Sequence, residues 1–193
     1  IRMFWKEKKE NFMGQYKIDQ DLCVNLIKFY KKQKNKKPGV LGDGIINEST
    51  KKSIDYTVDA DDFIKHKIIK EYFEELSFCL NKYKKKYFYS DEGQKSYTLE
   101  GANIQKYKPG EGFYNWHYEN NGTMNTSGRR HLVFMTYLNN VKDGGTNFFY
   151  QNLTTKAKTG STLIWPAAWT HTHRGQISKK QDKYIITGWW WYV

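Results

Sequence analysis

Cysteine is almost absent from this 193-residue chain, occurring only as Cys23 and Cys79. That excludes a disulfide-stapled secreted scaffold and predicts two buried thiols in a reducing, cytoplasmic setting. Three prolines and 15 glycines are too few for a low-complexity or collagen-like chain. No apolar run approaches the roughly 18 residues of a membrane-spanning helix. The opening stretch IRMFWKEKKENFMGQ is charged and lacks the apolar centre of a secretory leader. Arginine stands only at 2, 129, 130 and 174, so the formal net charge of +12 is carried almost wholly by lysine. Runs such as KKQKNKKPG (31–39) describe a solvated surface better than an arginine-rich element that reads bases. Nucleic acid is kept as a rival partner; a membrane is not.

Aromatic residues, by contrast, make up 17% of the chain, enough for a sizeable core in one domain. Two textures follow each other. In DQDLCVNLIKFYKKQ, Leu22, Leu26 and Phe29 recur at helical spacing, with Asp19 or Asp21 available as N-cap. After a loop over 38–53 comes DADDFIKHKIIKEYFEELSFCLNKYKKKY. There Ile68, Ile69, Tyr72, Phe73, Leu76, Leu80 and Tyr83 form one apolar stripe, predicting a single long helix laid on a sheet. From about residue 96 the pattern turns to short strands: HLVFMTYLNN (131–140), GSTLIWP (160–166) and KYIITGWWWYV (183–193). The expected organisation is a helical support over 1–95 and a β core over 96–193, within one domain. In KDGGTNFF, Gly144 and Gly145 are expected to serve a turn that needs positive φ.

Ligand-type side chains concentrate in two places. NWHYEN sets His117 and Glu119 two apart, which on a strand puts both on one face. THTHRG does the same for His171 and His173. His117, Glu119 and one later histidine make two imidazoles and one carboxylate. Gathered on one side of an ion, this set leaves the opposite positions open, as in a non-heme Fe(II) oxygenase; Zn(II) fits the same donors. The last strand adds a phase argument. Lys183, Ile185, Thr187 and Trp189 share one face, away from Tyr184 and Ile186, and Trp190 must point opposite to its neighbours.

In order and spacing, YKPGEGFYNWHYEN, GRRHLVFMTYLNNVKDGGTNFF, GSTLIWP, HTHRG and DKYIITGWW resemble the 2-oxoglutarate/Fe(II) dioxygenase family, in its prolyl 4-hydroxylase-like branch, over about residues 100–191. The resemblance implies a double-stranded β-helix (a jelly-roll, cupin-like core) braced by N-terminal helices. It implies Fe(II) on His117, Glu119 and His173, with Glu119 standing where that family usually has Asp. His173 is chosen over His171 because Gly175 follows by two residues and Lys183 by ten. The resemblance gives Lys183 the distal carboxylate of 2-oxoglutarate, with Tyr137, Tyr107 and Thr187 beside that cosubstrate. Arg130 and Trp189 fall on positions that flank the peptide substrate. Arg130 and Tyr137 differ in strand phase, so they share a face only if the strand bends or begins between them. The implied reaction consumes 2-oxoglutarate and O2, releases succinate and CO2, and hydroxylates an unactivated C–H, with prolyl 4-hydroxylation of a peptide or protein leading. Ascorbate is a candidate reductant. The rivals are a nucleic-acid demethylase of the same superfamily and a non-catalytic metal-binding β-domain. Ordinary roles are expected for His66 on the helix surface and for His131 at a strand start; His171 is expected on the same face as His173, lining the pocket mouth or binding in a slipped register.

Overall fold

The computed structural model describes residues 10–42, 44–92, 97–123 and 126–193. The expected boundary at 95–96 and the charged first nine residues lie outside the described residues.

Asp19 caps the first helix, α1 (Gln20–Lys32), by accepting the Leu22 amide at 2.9 Å. The helix buries Leu22, Cys23, Leu26, Phe29 and Tyr30. The long helix expected beyond residue 59 is two helices, α2 (Ala60–Lys65) and α3 (Lys67–Lys86). The chain leaves helical geometry at His66 (φ −118°, ψ 107°). Two contacts hold that break. Asp59 and Asp62 form a capping box, with Tyr56 donating to the Asp62 carboxylate at 2.9 Å. The His66 ring also packs edge-on to Phe29, its centroid 4.9 Å away. Tertiary packing overrides an unbroken apolar period here. The stripe itself is observed: α3 buries Ile69, Tyr72, Leu76, Cys79 and Tyr83. Both cysteines are free and buried.

The molecule is mainly β and its strand pairings are antiparallel. A seven-stranded sheet runs β1-β8-β5-β10-β4-β3-β2, and a three-stranded sheet runs β7-β6-β9. The strands are β1 (Gly14–Lys17), β2 (Lys37–Pro38), β3 (Ile54–Val58), β4 (Tyr97–Tyr107), β5 (Arg130–Tyr137), β6 (Thr146–Phe148), β7 (Leu153–Thr154), β8 (Ser161–Pro166), β9 (His173–Gly175) and β10 (Lys183–Tyr192). The first half thus adds three strands to the large sheet, two at one edge and one at the other. These strands are short or largely polar, which is why helical periodicity hides them.

Alternation along β10 divides the interior. Tyr184, Ile186 and Trp190 join α1 and α3 in one core, while Ile185 joins Tyr137, Phe148 and Trp165 in a second core between the sheets. At the far end of β10 both neighbouring ladders slip by one residue. Trp189 and Trp190 pair with Gly101 and Leu99 on β4, leaving Glu100 as an extra residue. Trp190 and Trp191 pair with Leu132 and Arg130 on β5, leaving His131 as another. These are β-bulges, and they supply the bend that brings Arg130 to the same cavity as Tyr137.

In the turn before β6 the positive φ falls on Asp143 (φ 55°) rather than on Gly144 or Gly145. Those glycines answer crowding instead. A Cβ on Gly145 would lie 1.8 Å from the Thr155 carbonyl oxygen, and one on Gly144 would lie 2.5 Å from Val141 Cγ1. No helix among the described residues is long and apolar enough to cross a membrane.

Candidate metal centre

His117 is held by a two-way backbone bridge to His173: each amide donates to the other's carbonyl, at 3.0 and 2.9 Å. Two residues on, the Glu119 amide donates to Ala167 O at 3.1 Å. The extended segment therefore lies across the end of β9, and three side chains converge. Glu119 Oε1 stands 3.7 Å from His117 Nε2 and 3.6 Å from His173 Nε2. These spans are short of the ~4.2 Å that separates opposite ligands around an ion with ~2.1 Å bonds, so Glu119 stands opposite neither imidazole. Among the described residues this is the one group of three such side chains suited to an ion.

The histidines are prepared for a cation. His117 Nδ1 meets the Asn115 carbonyl at 2.9 Å, and His173 Nδ1 meets the His171 carbonyl at 2.8 Å. A carbonyl only accepts, so each Nδ1 carries the proton and each Nε2 presents its lone pair to the centre. Burial drives the His117 pKa well below its ordinary 6.5, with the nearby His173 adding to the effect. Burial also lowers His173, against the pull of Glu119. Both rings are wedged: Phe113 stacks on His117 at 3.5 Å and 9°, and Phe148 and Trp165 flank His173 at 5.4 and 5.2 Å. Neutral imidazoles with free Nε2 atoms beside a carboxylate suit Fe(II), with room for further ligands.

His171 does not share this site. It ends a 3-10 turn (Trp169–His171) rather than lying on the strand, so the spacing of two no longer places it on the face of His173. It is buried away from the mouth, with Nε2 bonded to Asn11 O at 2.9 Å and Nδ1 near the Thr170 hydroxyl.

The cavity holding the three donors measures about 850 Å³ and is also lined by Lys183, Tyr107, Tyr137, Thr187, Arg130 and Trp189. That size suits a small organic ligand. Lys183 is only 5% exposed, and burial lowers its pKa to about 8. Its Nζ donates to Gln176 O at 3.2 Å and sits 4.9 Å over the Tyr107 ring. No carboxylate pairs with it among the described residues. Gly175 packs against it, its would-be Cβ 3.5 Å from Nζ. The hydroxyls nearby have protein partners: Tyr107 donates to Gln105 Oε1 at 2.6 Å, Tyr137 bonds Thr146 and Thr155 at 2.7 and 2.8 Å, and Thr187 donates to Phe134 O at 2.8 Å. Burial raises Tyr137 to about 12, so it stays protonated.

Sequence reasoning missed several residues around this cavity. Glu100 grips Arg130 through two 2.8 Å bonds. Lys51 pairs with Asp55 at 2.8 Å, and Gln105 donates to the same Asp55 oxygen at 3.0 Å. A lysine-rich chain hides Lys51, and nothing local marks Glu100. From Trp116 on the cavity wall an exposed aromatic row runs outward. Trp116 touches Phe149 (5.2 Å), Phe149 touches Tyr150 (5.2 Å) and Tyr150 touches Trp169 (5.6 Å); all four rings are exposed. Arg174 lies 4.4 Å over Trp116.

Comparison with known proteins agrees with this chemistry. Residues 102–191 match the family model described as 2OG-Fe(II) oxygenase superfamily. No curated protein matches the sequence closely. Among solved structures, a viral collagen prolyl hydroxylase from Paramecium Bursaria Chlorella virus-1 superimposes with a TM-score of 0.70 at 18% identity, covering 94% of this chain and 97% of that one. A Pseudomonas putida prolyl-4-hydroxylase gives 0.68 at 14% identity, covering 94% and 92%. A Trichoplax adhaerens prolyl hydroxylase, in complex with a hypoxia inducible factor peptide fragment, gives 0.69 at 14% identity, covering 94% and 84%. Over residues 102–191 the chain is thus similar to the 2OG-Fe(II) oxygenase superfamily, and it shares the fold of the prolyl hydroxylases.

Proposed function

We propose that this protein is a 2-oxoglutarate-dependent dioxygenase that hydroxylates an unactivated C–H of a peptide or protein, with C4 of a prolyl residue as the target. The observation that carries this reading is one cavity holding two kinds of site. His117, Glu119 and His173 form an open-sided donor set, and a buried lysine with no acidic partner among the described residues stands beside it. A free buried cation is costly unless a ligand brings the opposite charge. Lys183 would hold the far carboxylate of 2-oxoglutarate, with Tyr107, Tyr137 and Thr187 shaping the space around it. The two-sheet arrangement around the site supports a double-stranded β-helix reading of the core, with residues 1–95 as its support.

Fe(II), once bound with 2-oxoglutarate, would supply the oxidising chemistry: O2 provides one oxygen atom to succinate, released with CO2, and the other to the substrate carbon. The chain's own part is to orient the reactants and keep water out. Trp189 and Arg130 would flank the substrate residue with a ring face and a guanidinium face. The aromatic row from Trp116 to Trp169 supports an extended peptide as substrate, because proline rings pack well on aromatic surfaces. Ascorbate would serve as reductant.

The test is spectroscopic first. Anaerobic Fe(II) and 2-oxoglutarate should produce a weak visible charge-transfer band that His173→Ala abolishes. Proline-containing peptides should then stimulate succinate release. Absence of the band in the intact protein would sink the oxygenase reading. A band that survives His173→Ala but is lost in His171→Ala would reverse the choice of ligand.

A further inference from the structure

We propose that Arg130 and Trp189, braced by Glu100, are positioning residues that turn Glu119 into a one-oxygen ligand. This rests on the metal-dependent reading above and extends it to residues whose polar atoms had no role there. A glutamate is a loose ligand. It has an extra rotatable bond, and its carboxylate can swing away or offer both oxygens and so occupy a position that reactants need. Here the second oxygen is already taken. Trp189 Nε1 donates to Glu119 Oε2 at 3.0 Å, and Arg130 Nη1 reaches the same atom at 3.4 Å. That leaves Oε1 facing the two imidazoles.

The clamp is itself held. The remaining Arg130 nitrogens, Nε and Nη2, donate to the two Glu100 oxygens, both at 2.8 Å. This is the paired geometry in which a guanidinium binds a carboxylate most firmly. The Arg130 guanidinium lies 3.7 Å over the Trp189 ring. All three charged side chains are largely shielded: Arg130 is 10% exposed, Glu119 14% and Glu100 16%. Two carboxylates share one guanidinium, so the buried set carries one excess negative charge, directed at the ion's position. Both bulges beside β10 are needed for this, because the extra residues Glu100 and His131 bring Glu100 and Arg130 round to one side.

The arrangement sets the length of residue 119. Its backbone is pinned, since the Glu119 and Asn120 amides both donate to Ala167 O, at 3.1 and 2.9 Å. An aspartate from the same position would fall short by one carbon–carbon bond, about 1.5 Å. It could reach the ion or the Trp189–Arg130 pair, and not both. In this chain the shorter acid is therefore the poorer ligand.

Co(II) is a suitable probe, because its visible absorption reports coordination geometry and its binding needs no turnover. Glu119→Asp and Trp189→Phe should each weaken Co(II) binding by roughly 10–100-fold and alter the band, the range typical for residues that orient metal ligands. The two changes should not add: in a Trp189→Phe background, Glu119→Asp should cost little more, because the clamp is already open. The thermal midpoints of both metal-free single variants should stay close to that of the parent, which separates positioning from folding. Arg130→Lys, keeping the charge but not the fork, should fall between parent and Trp189→Phe. Unchanged Co(II) affinity in Glu119→Asp, or penalties that simply add, would overturn the proposal. Succinate release by the parent protein is scored separately. Tight Co(II) binding with the expected coupling but no succinate removes the oxygenase reading and leaves the clamp standing.

Discussion

The two ends of the cavity treat positive charge in opposite ways. At the mouth, Arg130 meets two carboxylates, Glu100 and Glu119, at 2.8–3.4 Å. Deeper in, the more buried Lys183 meets a carbonyl oxygen and the face of Tyr107 and, among the described residues, no carboxylate. A cation whose hydrogen-bonding capacity is filled by the protein is part of the scaffold; one left short is waiting for a ligand. The contrast assigns work to each without reference to residue type, and it can be broken at either end.

The largest effect is expected at Lys183. Lys183→Met should weaken 2-oxoglutarate binding by about 100-fold or more, equivalent to about 3 kcal/mol, since truncating one partner of a buried charge pair costs about that much. The same change should raise the thermal midpoint of the ligand-free protein, because it removes a buried, unmatched charge. Calorimetric titration and a thermal melt on one sample read both; a fall in the ligand-free midpoint would contradict the comparison. Glu100→Gln should do the reverse. It leaves Arg130 short of a partner and should cost about 1–3 kcal/mol of stability in a denaturant melt, with metal binding weakened indirectly.

pH sharpens the same contrast. Burial holds Lys183 at about 8, so the anchor is charged below that pH and neutral above it. The affinity for 2-oxoglutarate should therefore hold below pH 8 and fall by about tenfold per pH unit above it. Without ligand, stability should move the other way. The penalty of burying the charge is fully present below pH 8 and is relieved as pH rises toward 10.5, where the unfolded lysine titrates. In Lys183→Met both trends should vanish. The smallest effect concerns His171. His171→Gln should leave the Fe(II) charge-transfer band intact and cost about 1 kcal/mol, the worth of one buried hydrogen bond to the N-terminal segment.

What was readable in the sequence was local. Asp19 before an apolar period, the alternation of Lys183 to Trp189 and the short motifs around His117 and His173 each lie within one short stretch, and the structure brings Lys183, Trp189, His117 and His173 to one cavity. What was hidden depended on distant partners. The helix break at His66 needs Phe29 and Tyr56. The strands at Gly14 and Ile54 are recruited by the edges of a sheet built from the second half of the chain. His171 leaves the face of its neighbour because a 3-10 turn, not a strand, carries it. Glu100 is ordinary in sequence and becomes a partner of Arg130 only across two bulges.

Those bulges make the wiring of the mouth a matter of counting. The ladders on either side of β10 each hold one supernumerary residue, Glu100 on one flank and His131 on the other. Were either residue drawn into the ladder, His131 opposite Trp191 or Glu100 opposite Trp190, even alternation would send Arg130 or Glu100 to the helical side of the sheet. Homologues that keep the same residues but pair them without the bulges would thus use another ligand support, however alike their motifs look. In this corner of the molecule, parity carries information that composition does not.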